Sequence, residues 1–460
     1  MRFAYLLVML FTLPAFAVAE SAVTGGKVTE YKLDNGMKVI VKEDHRAPIA
    51  VSQVWYKVGS SYEPDGITGI SHVLEHMMFK GTKELPPGEF SRIIAANGGR
   101  ENAFTSRDYT AYFQTMSADR MEISFKLEAD RMRNLLLPAE EFKKELEVVK
   151  EERRLRTEDK PNSLTREQFY AVSYRSLPYA TPVIGWMNDL NNLQVEDLRA
   201  WYRKWYAPNN ATLVVVGDVK PEWVLEMAKK HFGPLKAEAI PKLKPLREPP
   251  QRGVIRTTVR APARQPYLLL GYKTPVISTA DAEWEPYALE MLVAILDGGS
   301  SSRISKKLIR GKEIAVSAGA GYSAFSKYSG MLSMSAIPAK GHTLDDLEKA
   351  LRAEIDLLQS EPVSKEELQR VQAQVVASQV YELDSVFYQA MQIGTLETIG
   401  LDWRLVDSYA ENMRKVTAEQ VQAVAKKYLT SDRLTVAQLD PLPMEQAKQR
   451  TAVPGVRHAN

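Results

Sequence analysis

Apolar positions near the start of the chain recur with the two-residue period of β-strands before a helical period begins. Two such runs flank Asp34-Asn35-Gly36, so residues 31–42 predict a β-hairpin. Residues 49–58 alternate next and predict a half-buried strand. The glycine-bounded segment 66–69 then leads into a predicted helix that carries residues 72–79.

One pattern of helix followed by strand occurs twice along the chain. Residues 194–206 predict a helix that leads to the strand 211–216, and residues 417–429 lead in the same way to 434–439. One offset relates both pairs without a gap, since 417 − 194 and 435 − 212 both equal 223. We interpret the pattern as a tandem duplication of one α+β domain. Chance similarity is the alternative, because the identities are few.

A segment between the two halves has the composition of a linker. Residues 236–253 contain four prolines among many charges and show no apolar period, which predicts a stiff, extended connector. A length of 460 residues also favours two domains of about 200 residues each. We therefore predict an N-terminal domain over 20–235, a C-terminal domain over 254–445 and a flexible tail over 446–460.

The first 19 residues resemble a secretory signal. Arg2 precedes an apolar run, and Ala17-Val18-Ala19 supplies the small residues of a cleavage site, so the mature chain is expected to begin at Glu20. An uncleaved membrane anchor is the alternative, although the run is short and Pro14 interrupts it. No other stretch is apolar enough to span a bilayer, and we expect an exported protein, periplasmic or fully secreted.

Composition excludes several kinds of chemistry. The chain has no cysteine, so it has no disulfide, thiol nucleophile or thiolate metal ligand. Its net charge of +3 is spread along the sequence without a block of Lys or Arg. We therefore expect no nucleic-acid partner.

Histidine is scarce, with six in the chain, yet two lie four positions apart in His72-Val-Leu-Glu75-His76. Positions i and i+4 share one face of a helix, so both imidazoles can bind one ion. Glu75 projects from nearly the same side and can deprotonate a water without being a ligand. Zinc suits imidazole and carboxylate ligands with one open position. The pattern predicts a zinc peptidase site, although five-residue motifs also arise by chance.

A third ligand is expected to be a carboxylate, and the glutamate-rich helix predicted over 139–156 supplies candidates. Its apolar stripe consists of Phe142, Leu146 and Val149. At about 100° per residue, Glu145 and Glu152 lie beside this stripe, and Glu141 is a weaker candidate. The glutamates that point away, as a solvated face, are Glu140, Glu147 and Glu151.

Three segments in order resemble the pitrilysin/insulinase zinc peptidases (family M16), which include the mitochondrial processing peptidase. They are residues 72–82, residues 97–110 (Asn-Gly-Gly-Arg-Glu-Asn-Ala-Phe-Thr-Ser-Arg-Asp-Tyr-Thr) and residues 145–152. The resemblance covers essentially the whole mature chain. It implies an α+β fold made of two homologous α/β-sandwich domains, each with a mixed sheet and helices, and a metal site in the first domain alone.

The resemblance also implies roles at the metal site. His72, His76 and Glu152 would bind one Zn²⁺ ion per chain. Glu75 would be the general base, and Glu145 would support the ligands from behind.

A substrate-binding strand is implied as well. An edge strand at Asn102, Ala103, Phe104 and Thr105 would pair with the backbone of an extended peptide, inside a chamber enclosed between modules. The alternative for Asn102 is a turn residue, and for Phe104 an ordinary core residue.

One block departs from the family pattern. Many relatives carry an Arg and, seven residues later, a Tyr that grip the substrate, and here these positions fall on Ile309 and Val316. Arg310 lies one position from the first, and Tyr322 lies six residues after the second. The resemblance thus implies an endopeptidase subunit with its own zinc site, whose gripping pair comes from a homologous subunit in a heterodimer or homodimer. A non-catalytic scaffold subunit of the same fold is the alternative, as is a maturation protease selective for one precursor.

Overall fold

The computed structural model describes residues 26–444, so the predicted signal segment 1–19 and the predicted tail 446–460 lie outside the described residues. In the N-terminal half (residues 26–235) the strands are β1 (Val28–Lys32), β2 (Lys38–Glu43), β3 (Ile49–Tyr56), β4 (Arg100–Thr105), β5 (Thr110–Ser117) and β6 (Ala211–Gly217). The helices of this half are α1 (Ile70–Met77), α2 (Glu89–Ala96), α3 (Glu122–Asn134), α4 (Ala139–Arg153), α5 (Pro161–Ser173), α6 (Met187–Asn192), α7 (Val195–Trp205) and α8 (Pro221–His231).

The C-terminal half (residues 254–444) has a second sheet. Its strands are β7 (Ile255–Pro262), β8 (Tyr267–Thr274), β9 (Ala315–Gly321), β10 (Gly330–Pro338) and β11 (Leu434–Leu442). Its helices are α9 (Trp284–Asp297), α10 (Leu344–Ser360), α11 (Lys365–Glu382), α12 (Val386–Ile399), α13 (Leu405–Lys415) and α14 (Ala418–Tyr428). None of the helices within residues 26–444 is both long and apolar enough to cross a lipid bilayer.

The five strands of the second sheet follow the same order as five of the six strands of the first. The first runs β1-β2-β6-β3-β5-β4 and the second β7-β11-β8-β10-β9. Apart from β1, which completes the predicted hairpin, each sheet has one parallel pair, β2 with β6 and β7 with β11, followed by antiparallel neighbours. Helices α7 and α14 begin 418 − 195 = 223 positions apart, and each starts with a capping box. The prediction of two homologous α+β domains is confirmed.

The predicted linker forms neither helix nor strand over residues 236–253. It is nonetheless held in place, because the Glu248 carboxylate accepts hydrogen bonds from the backbone N–H groups of Arg175 (2.9 Å) and Ser176 (3.1 Å) and pairs with Lys273 Nζ at 2.9 Å. We propose that the domain boundaries lie at the ends of this segment.

The prediction that residues 49–58 form a half-buried strand is wrong in one respect. Strand β3 forms, but every residue from Ala50 to Tyr56 is buried. One face packs on the helices of its own half, and the other is covered by α12 of the C-terminal half, where Ala390 and Ile393 meet Trp55. The polar Gln53 resembles a solvent-facing residue in the sequence, yet it is buried and accepts a hydrogen bond from Trp55 Nε1 at 2.9 Å.

The exchange of helices is reciprocal. Helix α5 of the N-terminal half covers the second sheet, where Phe169 packs with Leu269 and Tyr267. Both contacts are close enough to exclude a Cβ atom. On Gly394 of α12 it would lie 2.1 Å from Trp55, and on Gly271 of β8 it would lie 2.3 Å from Phe169. The two halves are therefore interlocked rather than simply tethered by the linker.

Candidate metal centre

The metal-site helix α1 is fixed at its first turn. The Glu63 carboxylate accepts the N–H groups of Gly69 at 2.7 Å and Ser71 at 2.8 Å, which would otherwise be unsatisfied at a helix start. Gly69 has φ +87°, and a Cβ there would lie 2.5 Å from the carbonyl oxygen of Ile184. This close approach sets the segment before Gly185 against the helix that carries both histidines.

Helix α4 lies beside α1, and Glu140 and Glu147 point to solvent as predicted, whereas Glu151, predicted to do so, is half-buried. The side chains of Glu152 and Glu145 are 2% and 13% exposed, whereas that of Glu147 is 67% exposed. The α-helix ends at Arg153, three residues earlier than predicted. A π-helical turn over Arg154–Glu158 follows it directly.

Three candidate ligands converge. Glu152 Oε2 lies 3.7 Å from His72 Nε2 and 3.5 Å from His76 Nε2, separations longer than an ordinary hydrogen bond. A tetrahedral zinc ion with bonds of about 2.0–2.1 Å holds its ligand atoms about 3.3–3.4 Å apart. Within residues 26–444, these three side chains form the group of His, Asp and Glu residues whose ligand atoms lie within 4.8 Å of one another. The donor set and its spacing therefore fit a zinc ion.

Charged neighbours orient the ligands from behind. Glu145 Oε2 lies 3.3 Å from His76 Nδ1, and Lys80 Nζ lies 2.5 Å from the other oxygen of Glu145. Arg156 Nη1 lies 2.8 Å from Glu152 Oε1, on the side away from the histidines. A carboxylate on the far nitrogen of a metal-binding histidine fixes the ring and raises its basicity.

These contacts shift the pKa values of the metal-free site. Burial alone would lower the pKa of His76, but the carboxylates of Glu145 and Glu152 outweigh it and raise that pKa to about 9. Burial opposes ionisation of Glu152 as well, yet contact with His76 and the charges of His72 and Arg156 lower its pKa to about 2. Glu152 is therefore a carboxylate at neutral pH, which is the form that binds metal.

Glu75 lies on the same helix face but outside the ligand group. Its side chain is buried, and burial raises its pKa. The Thr105 hydroxyl donates a 2.6 Å hydrogen bond to Oε2 of Glu75 and, with the nearby His76 charge, opposes that rise. A buried carboxylate with a raised pKa is suited to accept a proton.

The histidines open into a cavity of about 490 Å³. All its lining residues within the described chain fall between 72 and 184, and they include the four predicted substrate-strand residues Asn102, Ala103, Phe104 and Thr105. These belong to β4, which pairs with β5 alone among the described strands and so leaves one backbone edge free.

The structure bears on the alternatives for two of these residues. Asn102 lies within β4, so its alternative as a turn residue is wrong. Phe104 is half-buried and lines the cavity while its ring packs on Trp55 (5.4 Å between centroids) and Tyr109 (6.2 Å). It therefore takes part in both core and cavity.

The block that departs from the family pattern lies in the C-terminal half, and none of its residues lines this cavity. Ile309 packs against the core of its own half, and Val316 is 57% exposed on the edge strand β9. The Arg310 side chain donates to the carbonyl of Ser300, and the Tyr322 hydroxyl donates to Pro275 O at 2.6 Å. Neither replacement candidate reaches the metal centre.

Sequence reasoning missed two neighbours of the site, Lys80 and Arg156, and one contact within it. Lys80 and Arg156 each lie four residues after a candidate ligand, so helical spacing alone contained a signal for both. The contact of Thr105 with Glu75 joins segments 30 residues apart and has no such signal.

The sequence of the chain matches family models and relatives that are described as peptidases. Residues 38–185 match the family model described as Insulinase (Peptidase family M16), and residues 192–375 match the model described as Peptidase M16 inactive domain. The zinc protease PqqE of Helicobacter pylori is 38% identical over 314 residues, which are 67% of this chain and 69% of that protein.

Solved structures share the fold. A protease from Helicobacter pylori is 30% identical, with a TM-score of 0.86 over 90% of this chain and 100% of that one. The first half of the periplasmic protease PqqL from Escherichia coli is 20% identical, with a TM-score of 0.74 over 90% of this chain and 92% of that one.

Proposed function

Because the chain belongs to the insulinase family of peptidases, M16, we propose that it is a zinc-dependent endopeptidase that hydrolyses extended peptides or unfolded polypeptides. The observation that carries the proposal is the convergence of His72, His76 and Glu152 on one point, with Glu75 beside them and the free edge of β4 in the same cavity. We propose one zinc ion per chain, bound by those three side chains. Glu145 supports His76 from behind.

Each group of residues at the site has its own role in the proposed hydrolysis. When bound, zinc would supply Lewis acidity, which polarises a carbonyl group and lowers the pKa of a water. The free backbone edge of residues 102–105 holds the substrate as an added strand and so requires an extended peptide of no fixed sequence. Glu75 takes the proton of the attacking water and then gives it to the nitrogen of the leaving amine.

Replacement of the base by its amide tests the assignment. Glu75→Gln keeps the size of the side chain but cannot accept the proton, so we expect one zinc per chain and a loss of turnover of at least about 100-fold. Glu141→Gln is the matched control, because Glu141 lies on α4 and pairs with Lys144 instead of a ligand. Wild-type turnover in Glu75→Gln would exclude Glu75 as the base.

We further propose that the chain is the metal-bearing member of a pair. Two observations support this: Ile309 and Val316 occupy the positions of the gripping pair, and the cavity wall comes from residues 72–184 alone within the described chain. A homologous subunit with the missing Arg and Tyr would close the chamber. The purified chain is expected to cleave peptides weakly until the product of a neighbouring gene of this kind is added. Full activity of the chain alone would contradict the pairing.

A non-catalytic scaffold role is the second candidate, and the match of residues 192–375 to an inactive-domain model favours it for that half. Zinc analysis of the purified protein separates the two, since a scaffold needs no bound metal. We also propose export to the periplasm, on the basis of the signal-like first 19 residues, and cell fractionation tests it.

A further inference from the structure

The Glu75 carboxylate receives a hydrogen bond from the strand that forms the substrate edge. The hydroxyl of Thr105, the last residue of β4, donates to Glu75 Oε2 at 2.6 Å. We propose that Thr105 is a positioning residue, which holds the Glu75 carboxylate in the orientation that faces the attacking water. The inference rests on the proposed peptidase function.

A glutamate side chain needs such a restraint at this place. Its three rotatable bonds allow several positions for the carboxylate, and the helix backbone fixes only the first atoms. A hydrogen bond to one oxygen orients the group and leaves the other oxygen for the water. Displacement of a reacting group by about 1 Å can cost about 100-fold in rate.

Thr105 is itself held firmly. It pairs with Thr110 of β5, and the Thr110 hydroxyl donates to Val58 O at 2.9 Å. The hydroxyl that donates to Glu75 is therefore attached to a strand end that is itself held by β5.

The turn after Thr105 is anchored by both halves of the molecule. Asp108 accepts hydrogen bonds from the hydroxyls of Ser61 (2.9 Å) and Tyr179 (2.5 Å) and from the backbone N–H of Lys327 (3.2 Å) in the C-terminal half. The position of the base thus depends on a contact between halves, through Asp108 and Thr105, as well as on α1.

Two substitutions test whether the Thr105 hydroxyl positions the Glu75 carboxylate or only gives that buried group a hydrogen-bond partner. Thr105→Val has the same shape without the hydroxyl, and Thr105→Ser keeps the hydroxyl on a smaller side chain. We expect kcat of Thr105→Val to fall by about 10- to 100-fold with KM changed less than about threefold. Thr105→Ser should stay within about threefold of wild type, and both should bind one zinc.

The result that overturns the proposal is a Thr105→Val enzyme with wild-type kcat, or a Thr105→Ser enzyme as impaired as Thr105→Val. If Thr105→Val does not fold, Thr105→Ala removes the same hydroxyl without placing a methyl group against the carboxylate. In Glu75→Gln, which has no base to position, adding Thr105→Val should cause no further loss.

Crystal structures of the metal-free variants give a test that needs no activity. The carboxylate of Glu75 should move in Thr105→Val and keep its place in Thr105→Ser. An unmoved carboxylate in Thr105→Val would refute positioning even if the enzyme were slower. A wild-type protein that cleaves no peptide, with or without a partner subunit, would instead refute the proposed function.

Discussion

Gly394→Ala should destabilise the whole molecule by disturbing the contact between its halves. Gly394 lies on α12, which crosses the sheet of the N-terminal half directly over Trp55. An added Cβ would lie 2.1 Å from Cε2, 2.2 Å from Nε1 and 2.5 Å from Cδ2 of the indole. Carbon atoms prefer separations of about 3.5–4.0 Å, so ring and helix must move apart by more than about 1 Å.

The ring has little room to move. Trp55 packs edge-on against Phe104 (5.4 Å) and Tyr109 (5.1 Å), and its Nε1 donates to Gln53. Overpacking of this kind costs about 1–3 kcal/mol, occasionally more, and a clash with a fixed ring belongs at the upper end. Alanine is the better helix former by about 1 kcal/mol, which offsets part of the cost. We expect a net loss of about 2 kcal/mol in the free energy of unfolding.

Urea unfolding followed by tryptophan fluorescence and by circular dichroism measures this loss, and interlocked halves should give coincident transitions. The control is the same substitution in a Trp55→Ala background, which removes all three clashing indole atoms. There Gly394→Ala should be neutral or stabilising by up to about 1 kcal/mol, from helix propensity alone. A neutral Gly394→Ala in the chain that retains Trp55 would refute the close packing of the halves.

Two further predictions concern charged groups. Glu145→Gln should weaken zinc affinity by about 10- to 100-fold, because His76 loses its supporting carboxylate. Competition with a chelator measures the affinity, with Glu141→Gln as the control. Equal zinc affinities of the two variants would contradict the supporting role of Glu145. Asp44 accepts hydrogen bonds from Arg46 (2.7 Å) and from Gln389 of α12 (2.9 Å). The Arg46 contact, with help from Gln389 and against burial, lowers the pKa of Asp44 to about 2. Because this folded-state pKa lies below the ordinary value of 3.8, the stabilisation is present above about pH 4 and is lost as the pH falls through 2. Asp44→Asn should therefore lower stability by about 1–2 kcal/mol at pH 7, with a deficit that shrinks below pH 4 in denaturant titrations; a deficit independent of pH would contradict the ion pair.

The arrangement of the candidate metal ligands was predictable because they lie on two helices with a regular period. The spacing of His72 and His76 is local, and the phase of α4 distinguishes the buried Glu152 from the half-buried Glu151, which pairs with Arg154 at 3.0 Å. The tandem fold was predictable for a similar reason, since a capped helix and a strand recur at one fixed offset.

Contacts across the chain were not predictable from such patterns. The burial of β3 on both faces depends on α12, more than 330 residues away, and the polar Gln53 conceals it. Its amide is satisfied inside the contact, by Trp55 of the same strand (2.9 Å) and by the carbonyl oxygen of Phe387 on α12 (3.4 Å). The link from Thr105 to Glu75 joins a strand end to a helix, and no periodicity relates the two. The contact of α12 with β3 joins the two halves, and its one signal in the sequence is Gly394, where a Cβ would lie 2.1 Å from Trp55.

The C-terminal half lacks the histidine motif, yet the structure connects it to the metal centre by two routes. Helix α12 packs on Trp55, which packs on Phe104 in β4, and the backbone of Lys327 holds Asp108 in the turn that follows Thr105. Both routes end on β4. The orientation of the proposed base and the edge proposed to receive the peptide therefore depend on the second half, although every candidate zinc ligand lies in the first. Substitutions at these contacts are expected to reduce turnover while zinc binding persists. If turnover did not change, the C-terminal half would not support the site.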